Sequence, residues 1–164
     1  MVIRVQRWLC ISTRANDEVT RKKLVWGVAK RYQNTITRVK KGDTLVMYTM
    51  QEIVDREIIP SAVTGIYEAS SEVYDDECPI FVTPKALGSE VFPLRIKVKP
   101  VKTFKGPIPF KPLVPKMTFI KNKTMWSGAI RTAMRMIPEE DFQTIVCNCS
   151  LSIISIIILQ NFRK

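Results

Sequence analysis

Histidine is absent from this 164-residue chain. That removes Ser–His and Cys–His nucleophile pairs, the imidazole general base and every histidine-containing metal site. Cysteine is sparse: Cys10, Cys78, Cys147 and Cys149 form no C-x-x-C pair, and the single residue between the last two suits zinc poorly. The six glycines build no Walker loop, no G-x-G-x-x-G and no G-x-S-x-G elbow. Asp75, Asp76 and Glu77 could in principle hold Mg²⁺, but adjacent acids on one loop read as a solvated turn, and no second acidic group matches them. The expectation is a binding protein rather than an enzyme, with no cofactor and no metal.

Acid is also missing where it would be noticed. Between Val91 and Pro138 there is no Asp or Glu, while Lys and Arg recur throughout that stretch. The whole chain carries 26 Lys and Arg against 15 Asp and Glu, a formal charge of +11. Such a balance favours a polyanionic partner, because each neutralised phosphate releases condensed counterions. A solubilising surface is the alternative, although mixed signs serve that purpose equally well. The first residues carry no secretory signal, so free thiols in a reducing cytoplasm are expected.

The length suits one domain, and 46% hydrophobic residues supply a core. Val2 to Ser12 reads as a strand, and Asn16 to Lys23 as a short helix capped by Asn16. A second short helix is expected over Asn34 to Val39, then a turn at Gly42-Asp43 and a strand from Thr44 to Met50. Ala62 to Val73 reads as a strand bulged at Gly65, and Tyr74 to Pro79 as an acidic loop. From Val91 to Phe104, alternation puts Leu94, Ile96 and Val98 inward and Arg95, Lys97 and Lys99 outward, with a break or edge at Pro100. Four prolines make Lys105 to Pro115 a rigid connector or lid. Trp126 to Met136 is compatible with a helix, and Pro138 opens a final one. The class is α+β with a mainly antiparallel, barrel-like sheet.

Ile145 to Leu159 is almost wholly apolar, yet shorter than the roughly 20 residues of a spanning helix. A buried strand or helix is the favoured reading, against a disordered or artefactual extension or a membrane tail. The expected division is a domain over residues 1–146 and an extension over 147–164 through which the chain could self-associate.

Aromatics among cations suit nucleic acid, since each base offers a face for stacking and each linkage a charge. Trp26 stands near Lys30, Arg31 and Tyr32, and Trp126 near Lys121, Lys123 and Arg131; both tryptophans neighbour a glycine, where backbone can approach a flat ligand.

The order of motifs resembles the EVE domain family. Trp8-Leu9-Cys10-Ile11-Ser12 resembles the start of such domains, and Trp26-Gly27-Val28-Ala29-Lys30, Asn34, Gly42-Asp43 and Tyr48 follow their pattern. Gly65-Ile66-Tyr67-Glu68 with Tyr74-Asp75-Asp76-Glu77 continues it, and Phe119 to Lys123, Trp126, Gly128 and Arg131 look like its archaeal branch. Lys30 replaces the usual Arg-Asn pair, and Tyr48-Thr49-Met50 departs from the usual Tyr-His-Ser. The resemblance implies a PUA-like bent barrel with short helices packed outside it. It also implies kinship with YTH domains, which read methylated adenine in RNA, and with EVE members thought to read modified cytosine in DNA. The expected partner is RNA or modified DNA, and no membrane. The expected base pocket comprises Trp26, Ser12, Thr13, Asn16, Val28, Asn34, Tyr48 and Trp126. Phosphates are expected at Lys30, Arg31, Lys121, Lys123, Arg131 and Arg135, within a basic stretch running from Arg95 to Arg135. A small-molecule or nucleotide sensor, or a protein-interaction domain using the same pocket, is the alternative.

Overall fold

A computed structural model describes residues 4–148; the expected apolar extension lies outside them from Cys149 onward. The chain runs β1 (Arg7–Ser12), α1 (Arg14–Lys23), β2 (Val25–Val28), α2 (Gln33–Ile36), β3 (Thr44–Thr49), β4 (Glu52–Val54), β5 (Glu57–Ile59), β6 (Ala62–Ala69), β7 (Tyr74–Asp75), β8 (Leu94–Pro109), β9 (Met134–Ile137) and α3 (residues 139–148). Three-residue and longer 3-10 turns occupy Lys30–Tyr32, Lys85–Leu87, Lys111–Lys116 and Trp126–Ile130.

The main sheet has the order β2-β8-β6-β3-β1-β9, with β7 also on β8, and β4-β5 forms a separate hairpin. Every pair in the main sheet is antiparallel except β1 with β3. The sheet curls but stays open, β2 and β9 forming its two ends. The fold is α+β with a mainly antiparallel, bent sheet, as expected, and the sheet forms a half-barrel.

Both faces of this sheet are buried, which is why its central strands are apolar at successive positions. Leu9 and Ile11 of β1 join Val46, Tyr48, Ile66, Phe110, Met117 and α3 residues Phe142 and Ile145 in one core. Trp8 and Cys10 point to the other, with Leu45, Met47, Trp26, Val28, Ile96 and Met134. The Gly42-Asp43 turn locks β1 to β3. Gly42 takes a φ of +96°, which favours glycine, and the buried Asp43 carboxylate accepts N–H bonds from Gln6 at 2.9 Å, Lys40 at 2.9 Å and the Trp8 indole at 3.1 Å.

Several local expectations are corrected. Thr13, not Asn16, caps α1: its hydroxyl accepts from Asn16 N at 3.2 Å, and the helix begins at Arg14. Tyr74-Asp75 pairs with β8, so the acidic segment starts as strand. β8 continues through Pro107 and Pro109 before the turn at Lys111, so the expected lid begins as sheet. Trp126 to Met136 is no helix. It is a 3-10 turn followed by β9, whose pairing with Arg7–Cys10 overrides the local helical spacing.

Candidate base-binding cavity

A cavity of about 310 Å³ opens where β1, β2 and β3 end. Its floor comes from Ile11, Ser12 and Thr13 at the β1–α1 junction, Trp26, Gly27 and Val28 of β2, and Met50 after β3. Ile130, Arg131, Thr132 and Ala133, ahead of β9, close one side. The roof is the segment between β7 and β8, which contributes Phe81, Pro84, Leu87 and Phe92.

Trp26 has only 3% of its surface exposed, and its ring packs in the second core. It nevertheless borders the cavity, and its buried indole N–H has no acceptor among the described residues. An unmet buried donor costs about 1–3 kcal/mol, so it is a place where a ligand acceptor is worth most. Ser12 donates its hydroxyl to Thr13 O at 3.1 Å, which leaves its lone pairs to accept. Arg31, whose guanidinium lies 5.0 Å from the Tyr32 ring centroid, and Arg131 stand at the mouth; no carboxylate is among the lining residues. The cavity therefore offers donors and apolar walls. It fits a flat group that carries acceptors and disfavours a cation.

Two anchors hold the roof. The Asn16 side chain mimics a strand partner, donating to Val82 O at 2.9 Å and accepting from Val82 N at 2.7 Å. Arg95 is fully buried instead of facing outward. Its Nη1 meets Asp76 at 2.8 Å, its Nε donates to Phe92 O at 3.1 Å, its Nη2 donates to Cys78 O and Val91 O, and its guanidinium lies 5.5 Å from the Phe81 ring centroid. Alternation put Arg95 outside, but the roof covers that face of β8 as well. Phe92 takes a φ of +51°, unfavourable for a bulky residue ahead of proline, and its own carbonyl is one that Arg95 holds. Gly27 serves the same roof. A Cβ there would lie 2.5 Å from Phe81 Cε2, so this glycine admits a protein ring and not a ligand.

Of the expected pocket residues, Trp26, Ser12, Thr13, Asn16 and Val28 line the cavity, with the Asn16 amide already committed to the roof. Asn34, Tyr48 and Trp126 do not line it. Asn34 is exposed on α2. Tyr48 is buried on the opposite face of the sheet, edge-on to Phe110 at 4.9 Å, and burial raises its hydroxyl pKa above the ordinary 10.0. Trp126 tilts against the same Phe110 at 5.8 Å. Among the expected phosphate ligands, Arg31 and Arg131 reach the mouth. Lys30 pairs at the surface with Glu77 at 3.5 Å, and Lys121 is exposed away from the cavity. Lys123 is turned inward, donating to Val114 O at 3.1 Å and to Met117 O. Arg135 donates to Ala129 O at 2.6 Å beneath the Phe119 ring. The head groups of both are occupied by carbonyls left open at irregular turns, although Lys123 itself is exposed. The sequence reading missed Phe81 and Phe92; nothing local marks two rings so far apart as one roof.

The EVE domain profile matches residues 6–148. A UPF0310 protein of Pyrococcus abyssi is 47% identical over 139 residues, covering 84% of this chain and 95% of its own. Another from Pyrococcus horikoshii is 47% identical over 141 residues, covering 84% and 94%. Among solved structures, human THYN1 in complex with 5-methylcytosine-containing DNA superposes with a TM-score of 0.55 at 16% identity, over 89% of this chain and 96% of that one. The Mmi1 YTH domain in complex with RNA gives 0.59 at 11% identity, over 93% and 82%.

Proposed function

The chain belongs to the EVE domain family, and on that footing we propose that it recognises a single base, most easily a modified or unpaired one, by taking it into this cavity. One observation carries the reading: a buried, unpartnered indole N–H borders an aromatic, carboxylate-free cavity with arginines at its mouth. The volume of about 310 Å³ lies at the small end of the range of roughly 300–1,000 Å³ for ligand pockets, which suits one base and not two. Leaving the stack costs a few kcal/mol, least for a base that is already unpaired. The ring enters between Trp26, Phe81 and Phe92, a base carbonyl or ring nitrogen accepts from the Trp26 N–H, and Arg31 and Arg131 take the flanking phosphates. That fold relatives were solved with methylated DNA and with RNA supports this class of ligand.

The reading is recognition without catalysis. Ser12, Thr13, Tyr32 and Thr132 are the hydroxyl-bearing residues lining the cavity, and no histidine, carboxylate or lysine is among the described residues that line it to act as their base.

The test is an anisotropy titration with single-stranded heptamers at two salt concentrations. DNA heptamers carry cytosine, 5-methylcytosine or an abasic site at the centre, and RNA heptamers carry adenine, N6-methyladenine or an abasic site. At least one intact centre should bind several-fold more tightly than its abasic counterpart. Equal affinity for filled and abasic centres in both series removes the cavity from the argument. Equal affinity for a mononucleotide and the heptamer favours a nucleotide sensor instead.

A further inference from the structure

A second and larger cavity, of about 570 Å³, lies on the other side of the first turn of α1. The two hollows share that turn as a wall. Thr13 and Asn16 face the base cavity, while Arg14, Asp17 and Arg21 face the second; likewise Met50 lines the first and Thr49 the second. The wall is a single α-helix, about 10–12 Å across with its side chains.

The second cavity exists because β8 leaves the ladder. Val63 pairs with Ile108 and Gly65 with Thr103, so two steps along β6 answer to five along β8. The surplus carries Phe104, Gly106 and Pro107 away from β6 and along the cavity's edge.

Its chemistry is opposite to that of the first. Asp17, Glu18 and Glu52 line it, against Arg14 and Arg21. Asp17 is buried, its carboxylate accepting from the Thr64 hydroxyl at 2.7 Å with Arg21 at 3.7 Å. Glu52 accepts from the Arg14 backbone N–H at 2.8 Å, and a carboxylate has lone pairs to spare for more. Arg14 is exposed on the dividing turn, and no acceptor for its guanidinium is found among the described residues. The first cavity thus presents donors and the second acceptors, with an unpaired cation on the ridge between them.

We infer that the second cavity holds the nucleotide next to the one in the base cavity and selects neighbours bearing an exocyclic amino group, with Arg14 on the phosphate that joins the two. This rests on the base-cavity reading and extends it to sequence context. Adenine, cytosine and guanine offer amino donors to carboxylates; thymine and uracil present carbonyls and only a ring N–H.

The experiment repeats the heptamer titrations with the bases on both sides of the centre changed to each of the four bases or to abasic sites. Amino-bearing neighbours on one side should bind about tenfold more tightly than thymine, uracil or an abasic site. Glu52→Gln, whose amide oxygen still accepts from Arg14 N, should erase much of that preference while leaving mononucleotide affinity unchanged. Arg14→Ala should lower heptamer affinity and the salt slope by about one phosphate contact. If the central base matters while neighbours, abasic sites and both variants change nothing, the second cavity is no subsite and the base-cavity reading survives. If filled and abasic centres bind alike, both readings fall together.

Discussion

Replacing Trp26 with phenylalanine separates what the indole does for the fold from what it does for a ligand. In the free protein the substitution removes ring volume from a residue only 3% exposed. Its cost is about 1–2 kcal/mol, between that of deleting a methylene and that of deleting an aromatic ring. It also removes the buried N–H that lacks an acceptor, relieving a penalty of about 1–3 kcal/mol. The two effects oppose one another, so unfolding stability should move by less than about 1 kcal/mol. Binding has no such compensation. A base acceptor seated against the cavity wall loses its donor and stays dry, which costs about 1–3 kcal/mol, or roughly 5- to 150-fold in affinity. Urea denaturation and heptamer anisotropy measure the two sides on the same samples. Unchanged affinity in Trp26→Phe would refute the claim that this N–H reads the ligand. A stability loss above about 2 kcal/mol would refute the claim that it is unmet in the free protein. Trp26→Ala is the poorer experiment, because removing so buried a ring costs the fold about 3–5 kcal/mol before any ligand is added.

Gly27→Ala drives a methyl to 2.5 Å from Phe81 Cε2 and 3.2 Å from Phe92 O; the roof must lift, destabilising the protein by about 1–3 kcal/mol and weakening heptamer binding, both measurable in the same two assays. Arg95→Met leaves the Cys78 and Phe92 carbonyls and the half-exposed Asp76 without their donor. It should cost about 3 kcal/mol, the low end for a broken buried pair, and hydrogen exchange should quicken across residues 76–92 ahead of the sheet. Burial, the largest influence on Asp17, pushes its carboxyl above the ordinary 3.8, against the lowering effects of the Thr64 hydroxyl and Arg21. The native state therefore holds this proton to higher pH than the unfolded chain, and this group's contribution to stability declines as pH rises from about 3.8 through the raised value. Asp17→Asn should lack that slope, so the stability difference between wild type and variant should change from about pH 4 to 7 in denaturation curves; parallel curves would show that the carboxyl titrates normally.

The strands of the inner sheet were legible because their apolar runs answer to two buried faces. Trp8 and Leu9 point to opposite cores, and no amphipathic helix produces that pattern. Gly42 was legible because its φ of +96° selects glycine, and the bulge beside Gly65 because a Cβ there would crowd the Tyr67 ring at 3.1 Å and the Lys102 carbonyl at 3.3 Å. Residues 126–136 were misread because Ile130, Met134 and Ile137 repeat at helical spacing. Their partners, among them Arg7 and Cys10 across the β1–β9 ladder, lie more than a hundred residues away. Pro100 stands beside a register shift, as its reading as a break expected, whereas Pro107 and Pro109 misled in the same manner. Pro100, Pro107 and Pro109 sit in β8 at bulges and at its end, where a missing N–H is cheap. At the site, the floor was legible through the short motifs around Ser12 and Trp26. The roof was not, because Phe81 and Phe92 meet edge-to-face at 6.0 Å only after Arg95 and Asn16 have folded the intervening segment down.

The charge of the chain changes meaning once it is placed. Arg95, Lys123 and Arg135 belong to the stretch without acids, yet each is occupied by backbone carbonyls, and Lys99 is held by Glu68 at 2.9 Å. The acidic triplet is absorbed as well: Asp76 bridges to Arg95 and receives Cys78 N at 2.9 Å, while Glu77 meets Lys30. The triplet that read as a solvated turn works instead as a clasp, in which an acid and a buried arginine tie the roof to β8. Surface pairs such as Lys30–Glu77 are weak enough to yield to a phosphate, whereas the Arg95 bonds are not. The guanidiniums that remain open beside the cavity are those of Arg31 and Arg131; with Arg14 on the ridge, three contacts on a single strand give a salt slope of only about −2.1. On the proposed reading, a protein of +11 built in this way gains its discrimination from the walls of the cavity, and the electrostatic share of its affinity is much smaller than its net charge suggests.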